Sequence, residues 1–198
     1  RKALQYLASQ GYVQAMQGKG IQIIFRRHRT SHFLLAGIES LAEAGRRLGI
    51  EVRTRLLDSS TVTVDADLAQ RSGLPEGASA IALKRLRFLD GRPAIVDHNM
   101  FLAEVVPRVP REAAESSIYA YLENELGVSI VSSSRLATIE PADEEDLHYL
   151  DLGGQNCVGV VESFSFDSSG VPFEYTRSRH AARTFSFISI AQRLPAQR

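Results

Sequence analysis

An internal duplication restricts the fold of this 198-residue chain more than any other feature of its sequence. Residues of the first half recur in the second half at a common offset of about 79 positions: Asp67-Leu68 as Asp146-Leu147, Gly91 as Gly170, and Pro93 as Pro172. In both copies an acidic helix start precedes an apolar run, a glycine turn and a return strand that begins at the proline. The pattern therefore predicts a helix followed by a β-hairpin in each half.

The segments around these copies complete the order of elements. Helical periodicity predicts a helix over 37–48 that ends at Gly49, and another over 117–126 that ends at Gly127. Strands are predicted for extended runs at 53–64, 80–89, 130–139 and 157–166, with a last strand near 185–190. This alternation favours an α+β domain with flanking helices on a largely antiparallel sheet, built from two pseudo-two-fold halves.

The composition argues against several classes of protein. A hydrophobic content of 44% and a charged content of 23% are typical of a globular protein. No apolar run is long enough to span a membrane, and the start has no signal-peptide pattern. Cys157 is the single cysteine, which excludes an internal disulfide and fits a cytoplasmic location. The sequence has no metal-ligand spacing, dinucleotide fingerprint or nucleophile motif, so no metal, cofactor or catalytic residue is predicted.

Charge separates the first 30 residues from the rest of the chain. They hold six basic and no acidic side chains, which leaves 17 basic and 23 acidic side chains elsewhere. We therefore expect only this basic front to meet a polyanion. Residues 1–8 have helical spacing, and extended runs at 12–16 and 21–25 flank a glycine-rich turn that contains Lys19.

The string RKALQYLASQGYVQAMQGKGIQII resembles the end of a GntR-type winged helix-turn-helix domain. The resemblance implies that Arg1 and Lys2 lie in the recognition helix near DNA, and that Lys19 reaches a groove or a phosphate from the wing. The first two helices of such a domain are absent, so this remnant is expected to bind DNA weakly or not at all. The expected organisation is a winged-helix remnant at 1–25 and a linker at 26–32.

About residues 33–196 resemble the UTRA ligand-binding domain of the HutC subfamily, and this domain is expected to span residues 33–198. The strings that carry the resemblance, in this order, are LPEGASAIALKRLRFLDGRPAIVDHNMF, SSIYAYLENELGVSI, IEPADEEDLHYLDL and GVPFEYTRSRH. The resemblance implies a chorismate-lyase-like fold, a homodimer, and a small-molecule effector that switches operator binding. The chain is thus expected to belong to a transcription regulator, a repressor, and not to an enzyme.

Arg85 and Arg87 are the strongest candidates for the effector site. Because alternate residues of a strand share a face, their side chains lie about 7 Å apart, at the end of an apolar stripe formed by Ile81 and Leu83. Each guanidinium offers a fork of donors that fits phosphate or carboxylate. The alternatives are arginines that point outward from an edge strand, or salt bridges to one of three acids: Asp90, Asp97 and Glu174.

Ser117 and Tyr119 form the second candidate. A serine before an apolar helical run either caps the helix or donates its hydroxyl to a ligand at the positive helix end. Tyr119 either donates its hydroxyl or packs. The third candidate is Glu174, which faces opposite to Phe173 and Tyr175 and so points at solvent or into a cleft.

The resemblance adds roles and positions to this site. It implies that the carboxylate of Glu174 holds sugar hydroxyls or an amide, and that His180 stands where the family often has an aromatic residue. Ala42 lacks a hydroxyl that the family has at the phosphate-binding place. Three further positions match the family's site: Ser40, Leu41 and Asp97.

The predicted effector is a small organic anion such as a sugar phosphate, although urocanate, phosphonates and fatty acids are also effectors in this family. Two other functions stay open on the sequence alone. One is a chorismate-lyase-like enzyme, which would need an acid or base beside the arginines and no DNA-binding remnant. The other is a dimerisation module without a ligand.

Overall fold

The structure, a computed structural model, describes residues 2–9, 12–24, 33–34 and 37–189. The chain divides into two units, one of Arg1–Gly37 with Ser186–Arg198 and the other of Ile38–Phe185. The elements, in chain order, are α1 (Lys2–Ser9), β1 (Val13–Met16), β2 (Gly20–Ile23), β3 (Phe33–Leu34), α2 (Leu41–Leu48), β4 (Val52–Thr63), α3 (Ala66–Ser72), β5 (Ser79–Leu89), β6 (Arg92–Leu102), α4 (Arg111–Glu115), α5 (Ile118–Asn124), β7 (Ile130–Pro141), α6 (Glu144–Tyr149), β8 (Cys157–Asp167), β9 (Pro172–Ala181), a 3₁₀ turn (Ala182–Thr184) and β10 (Phe187–Ile188).

A six-stranded antiparallel sheet forms the centre of the larger unit, in the order β4-β5-β6-β9-β8-β7. The first three strands come from the first half of the chain and the last three from the second half, and β6 pairs with β9 at the centre. The two glycine turns also match, since Gly91 and Gly170 both have φ of 76°. The predicted duplication and its pseudo-two-fold halves are therefore confirmed.

Two predicted helices are shorter than their periodicity suggested. The helix predicted from residue 37 begins only at Leu41, because the Ser40 side chain accepts a hydrogen bond from the backbone of Glu43, and Glu43 accepts one from the Ser40 backbone. It ends at Gly49 as predicted, with φ of 68°. The helix predicted over 117–126 spans Ile118–Asn124, because Ser117 caps its start from outside the helix.

Other differences concern elements that the sequence pattern did not resolve. The short helix α4 follows Pro110 and was not predicted. The last strand is only two residues long and pairs in parallel with β3, not with the six-stranded sheet. Ile190, the end of the predicted strand, lies outside the described residues.

The smaller unit contains the predicted helix and hairpin at the start of the chain. Helix α1 precedes strands β1 and β2, which pair antiparallel from Val13↔Ile23 to Met16↔Gly20. Lys19 is exposed in the turn between them. Arg1 and the linker predicted at 26–32 lie outside the described residues.

The two faces of the six-stranded sheet carry separate apolar cores. The larger core packs Ile118 and Leu122 of α5 with Ile81 and Phe101 of the sheet. The smaller core includes Leu150 and Leu152, which follow α6, and four buried residues of the sheet: Leu86, Val96, Val158 and Val160. We call these the α5 face and the α6 face, and the candidate site residues of β5, β6 and β9 lie on the α5 face.

Candidate functional site

Arg85 and Arg87 point inward on the α5 face, as the alternation of β5 predicts. Their side chains are 4% and 12% exposed, so outward-facing arginines on an edge strand are excluded. Asp97 forms ion pairs with both arginines: its Oδ2 lies 3.3 Å from Nη2 of Arg85 and accepts a short hydrogen bond from Nε of Arg87. Of the three acids considered as salt-bridge partners, Asp97 is therefore the one that the fold brings to the pair.

The position of Arg85 is determined by two further contacts. Its Nε donates to Oδ1 of Asn99 at 2.9 Å, and its Nη1 donates to the backbone carbonyl of Ala114 in α4 at 3.2 Å. Burial and the nearby charge of Arg87 lower the pKa of Arg85 to about 9, so the guanidinium is charged at neutral pH. The site thus holds two fixed cations a short distance below α4 and α5.

Asp97 links β5 to β9. Its second carboxylate oxygen, Oδ1, accepts a hydrogen bond of 2.6 Å from the hydroxyl of Ser178, which stands directly opposite in the β6–β9 register. Burial alone would raise the pKa of Asp97, but Arg87 and Arg85 outweigh it and lower the pKa to about 2. The carboxylate is therefore ionised at neutral pH.

Glu174 lies at the other end of the same polar network. It is buried and does not point at solvent. Tyr119 donates to its Oε2 at 3.0 Å and Thr176 donates to its Oε1 at 3.1 Å. Thr176 in turn accepts from Nδ2 of Asn99 at 2.8 Å, so Asn99 joins the glutamate end to the arginine end. Burial raises the pKa of Glu174, against the hydrogen bonds that the carboxylate accepts.

The polar members of this network that sequence reasoning missed include Asn99, Thr176 and Ser178. Their signal was present in the alternation of the two central strands. Asn99 is two residues from Asp97, and Thr176 and Ser178 continue the face of Glu174, so each shares a face with a predicted site residue. The cross-strand pairs Asp97↔Ser178 and Asn99↔Thr176 needed the register, which the sequence alone did not provide.

His180 is buried on the same face of β9, opposite Gly159. Burial lowers its pKa to about 4, so the imidazole is neutral at neutral pH. Its ring contacts Phe185 edge-to-face, with centroids 5.6 Å apart. The Phe185 ring lies so close to Gly159 that a Cβ on that glycine would be 2.1 Å from it. The histidine end of the site is thus closed by an aromatic side chain.

Ser40, Leu41 and Ser117 lie at helix starts. The hydroxyls of Ser40 and Ser117 each accept from a backbone N–H three residues on, at 3.3 Å. Ser117 therefore acts as a cap, the commoner of its two predicted roles. The fold brings Tyr119 into the polar network with Arg85, Arg87, Asp97 and Glu174, whereas the hydrogen bonds described for the two serines stay within their own helix turns.

The α6 face carries a second set of charges. Arg179 binds the fully buried Asp146 through Nε and Nη2, the latter at 2.6 Å, and Glu140 through Nη1 at 2.8 Å. Lys84 lies 2.5 Å from Glu145 of α6. The pairs formed by Asp146 and Glu145 attach α6 to the sheet. Within the described ranges, no cluster of three or more His, Cys, Asp or Glu side chains has the arrangement of a metal site, and no helix is long and apolar enough to cross a membrane.

The chain is similar to known transcription regulators over most of its length. A profile of the UTRA domain matches residues 47–186. The HTH-type transcriptional regulator TreR of Bacillus subtilis (strain 168) is 34% identical over 197 residues, which cover 98% of this chain and 80% of TreR.

Solved structures agree with this similarity. The effector binding domain of the B. subtilis trehalose repressor (TreR) matches with a TM-score of 0.65 and 30% identity, over 72% of this chain and 99% of that domain. The possible transcriptional regulator YydK from B. subtilis matches with a TM-score of 0.81 at 20% identity, over 96% of this chain and 81% of that one, and so shares the fold. The α+β, chorismate-lyase-like fold expected from the sequence is confirmed.

Proposed function

Because this chain belongs to the UTRA family of GntR-type transcription regulators and forms their effector-binding domain, we propose that it senses a phosphorylated sugar through Arg85 and Arg87. The observation that carries the proposal is the buried arginine pair, which is held beneath α4 and α5. Two guanidiniums this close repel each other unless anions join them, and their forked donors fit the oxygens of a phosphate.

The other end of the network suits the neutral part of such a ligand. Tyr119, Glu174, Thr176 and Asn99 form a chain of hydrogen-bonding groups that leads away from the arginines. Donors and acceptors in this order match the hydroxyls of a sugar. TreR of B. subtilis is 34% identical to this chain, and its solved effector binding domain is described as that of a trehalose repressor. This description supports a sugar-derived effector. We also propose that Ser40, Leu41, Ser117 and His180 border this site, as the family resemblance implies, with the two serines keeping their roles as helix caps.

The effector would act on operator binding through the whole regulator. We propose that residues 1–25 are the end of a winged helix whose Arg1, Lys2 and Lys19 face DNA, that 26–32 connect it to the effector domain, and that effector binding favours one arrangement of the DNA-binding heads. The relatives are named as transcription regulators; we accordingly propose a cytoplasmic repressor without lyase activity. Incubation with chorismate is expected to yield no product.

We further propose a homodimer. Strand β7 is an edge of the six-stranded sheet, and it exposes three large apolar side chains, Val131, Leu136 and Ile139, to 59%, 54% and 62%. A long apolar edge strand pairs readily with another strand. Equilibrium sedimentation tests the dimer, and Leu136→Lys at this edge is expected to favour the monomer.

A thermal-shift assay tests the sensing function. The ligands are phosphorylated hexoses and disaccharides, with the unphosphorylated sugars as controls. A ligand at one hundred times its Kd stabilises the protein by about 2.7 kcal/mol, which raises the Tm of a domain of this size by roughly 5–10 °C. Arg87→Ala is expected to abolish the shift, whereas Arg55→Ala, at an exposed arginine of β4, is expected to keep it. Equal shifts in both variants and the parent would exclude the arginine pair as the site.

A further inference from the structure

Three of the five N–H donors of Arg85 already go to acceptors of the protein itself. Nε donates to Asn99, Nη1 to the carbonyl of Ala114, and Nη2 to Asp97. A forked contact with an oxyanion through the adjacent Nε–H and Nη2–H groups would take the places of Asn99 and Asp97, which now accept from these two nitrogens. The Asp97 contact is the longest of the three, at 3.3 Å, and it is the one with a negatively charged acceptor.

Arg87 depends on Asp97 more strongly than Arg85 does. Within the described part of the chain, both the hydrogen bond and the ion pair of Arg87 go to Asp97. The carboxylate therefore occupies the place between two guanidiniums that the anionic group of an effector would take.

Resting on the function proposed above, we propose that Asp97 is an internal competitor of the effector: it neutralises Arg85 and Arg87 in the effector-free protein, and an incoming anion displaces it from them. Asp97 is then a positioning residue that sets the affinity of the site, and not a ligand of the effector.

Asp97 has a second hydrogen-bond partner that can still hold its carboxylate after an anion has displaced it from the arginines. Ser178 donates to its Oδ1 at 2.6 Å, independently of the oxygen that binds the arginines. The groups that face Asp97 from the surrounding elements are Arg85 and Arg87 of β5, Ser178 and His180 of β9 and, further along the same face, Glu174 and Tyr119. Asp97 and the two arginines together carry a net charge of +1, which still attracts an anion. The effector anion and Asp97 therefore compete for the same two cations.

Isothermal titration with sulfate tests the competition in the protein itself. Asp97→Asn keeps the shape of the side chain and removes its charge, so it is expected to bind sulfate about tenfold more tightly than the parent. Glu145→Gln is the matched control, because it also replaces a paired carboxylate by an amide. Glu145 pairs with Lys84 and His98 on the opposite face of the same two strands. The Glu145→Gln variant is expected to leave sulfate binding unchanged.

Asp97→Ala supplies an independent readout if the asparagine variant does not fold. Acetate replaces the missing carboxylate, and it is expected to weaken sulfate binding to Asp97→Ala while leaving Glu145→Gln unaffected. If Asp97 only orients the arginines, acetate would strengthen sulfate binding instead, and that result overturns the proposal.

The outcomes separate this proposal from the proposed function. Weaker or equal sulfate binding in Asp97→Asn, with binding lost in Arg87→Ala, overturns the competitor and leaves the anion site standing. If sulfate binds the parent, Asp97→Asn and Arg87→Ala alike, or binds none of them, both proposals are wrong. Tighter binding in Asp97→Asn, with loss in Arg87→Ala, supports both.

Discussion

Asp97→Asn should make the effector-free protein less stable in a way that depends on pH. The folded state lowers the pKa of Asp97 from 3.8 to about 2. A shift of one pKa unit corresponds to about 1.4 kcal/mol, so ionised Asp97 contributes about 2 kcal/mol to the free energy of unfolding at neutral pH. Asparagine, which resembles the protonated acid, loses this contribution. The Tm at pH 7 is expected to fall by roughly 4–8 °C.

The direction of the pH effect follows from the lowered pKa. The contribution of Asp97 is fully present above its unfolded pKa and is lost as the pH falls from about 4 to about 2, because the unfolded carboxyl takes up its proton first. The parent and Asp97→Asn are therefore expected to differ most at pH 7 and to converge in strong acid. Urea unfolding at a series of pH values, followed by circular dichroism, measures the difference.

An exposed acid provides the control for this experiment. Asp67 pairs with Arg71 on the surface of α3, with a side chain that is 76% exposed. Asp67→Asn is expected to change the free energy of unfolding by less than about 0.5 kcal/mol at every pH. A difference between the parent and Asp97→Asn that stays constant from pH 7 to pH 3, or that is as small as for Asp67→Asn, would refute the electrostatic role of the buried carboxylate.

Three further substitutions test the fold around the site. Asp146→Ala leaves Arg179 without its buried partner and is expected to lower the free energy of unfolding by about 3–5 kcal/mol in urea denaturation; a loss below 1 kcal/mol would contradict this. Gly159→Ala places a methyl group against Phe185 and should cost about 1–3 kcal/mol by thermal denaturation, with recovery when Phe185→Leu is added. Ser40→Ala removes half of a capping box and is expected to cost about 1 kcal/mol, and an unchanged Tm would argue against the cap.

The sequence predicted the sheet well because the duplication constrains many residues at once. The two acidic helix starts, glycine turns and prolines together require two equivalent helix-hairpin units, whatever the exact limits of each strand. The start of α2 was misplaced because apolar spacing continues through residues 37–40, although Ser40 and Glu43 already carry the pattern of a capping box. Here a local hydrogen-bond pair overrides the periodicity.

The candidate site was predicted in part. Alternation along one strand places Arg85 and Arg87 on one face, and this required no knowledge of the fold. Their true neighbours depend on long-range contacts. Asp97 reaches Arg85 through the β5–β6 register, and Ala114 contributes a backbone carbonyl from α4, which no side-chain pattern can reveal.

The pseudo-two-fold sheet has unequal halves in one respect. In the strand registers, Arg85 stands between Leu56 and Asp97, and Ser163 stands in the equivalent place between Arg135 and Thr176. Ser165 likewise takes the place of Arg87. The paired guanidiniums of the α5 face therefore belong to the first half, whereas the second half has serines in both places and a single arginine, Arg135, in the place of Leu56. The saturation stoichiometry of this chain should therefore be one anion per polypeptide, despite a scaffold that repeats itself.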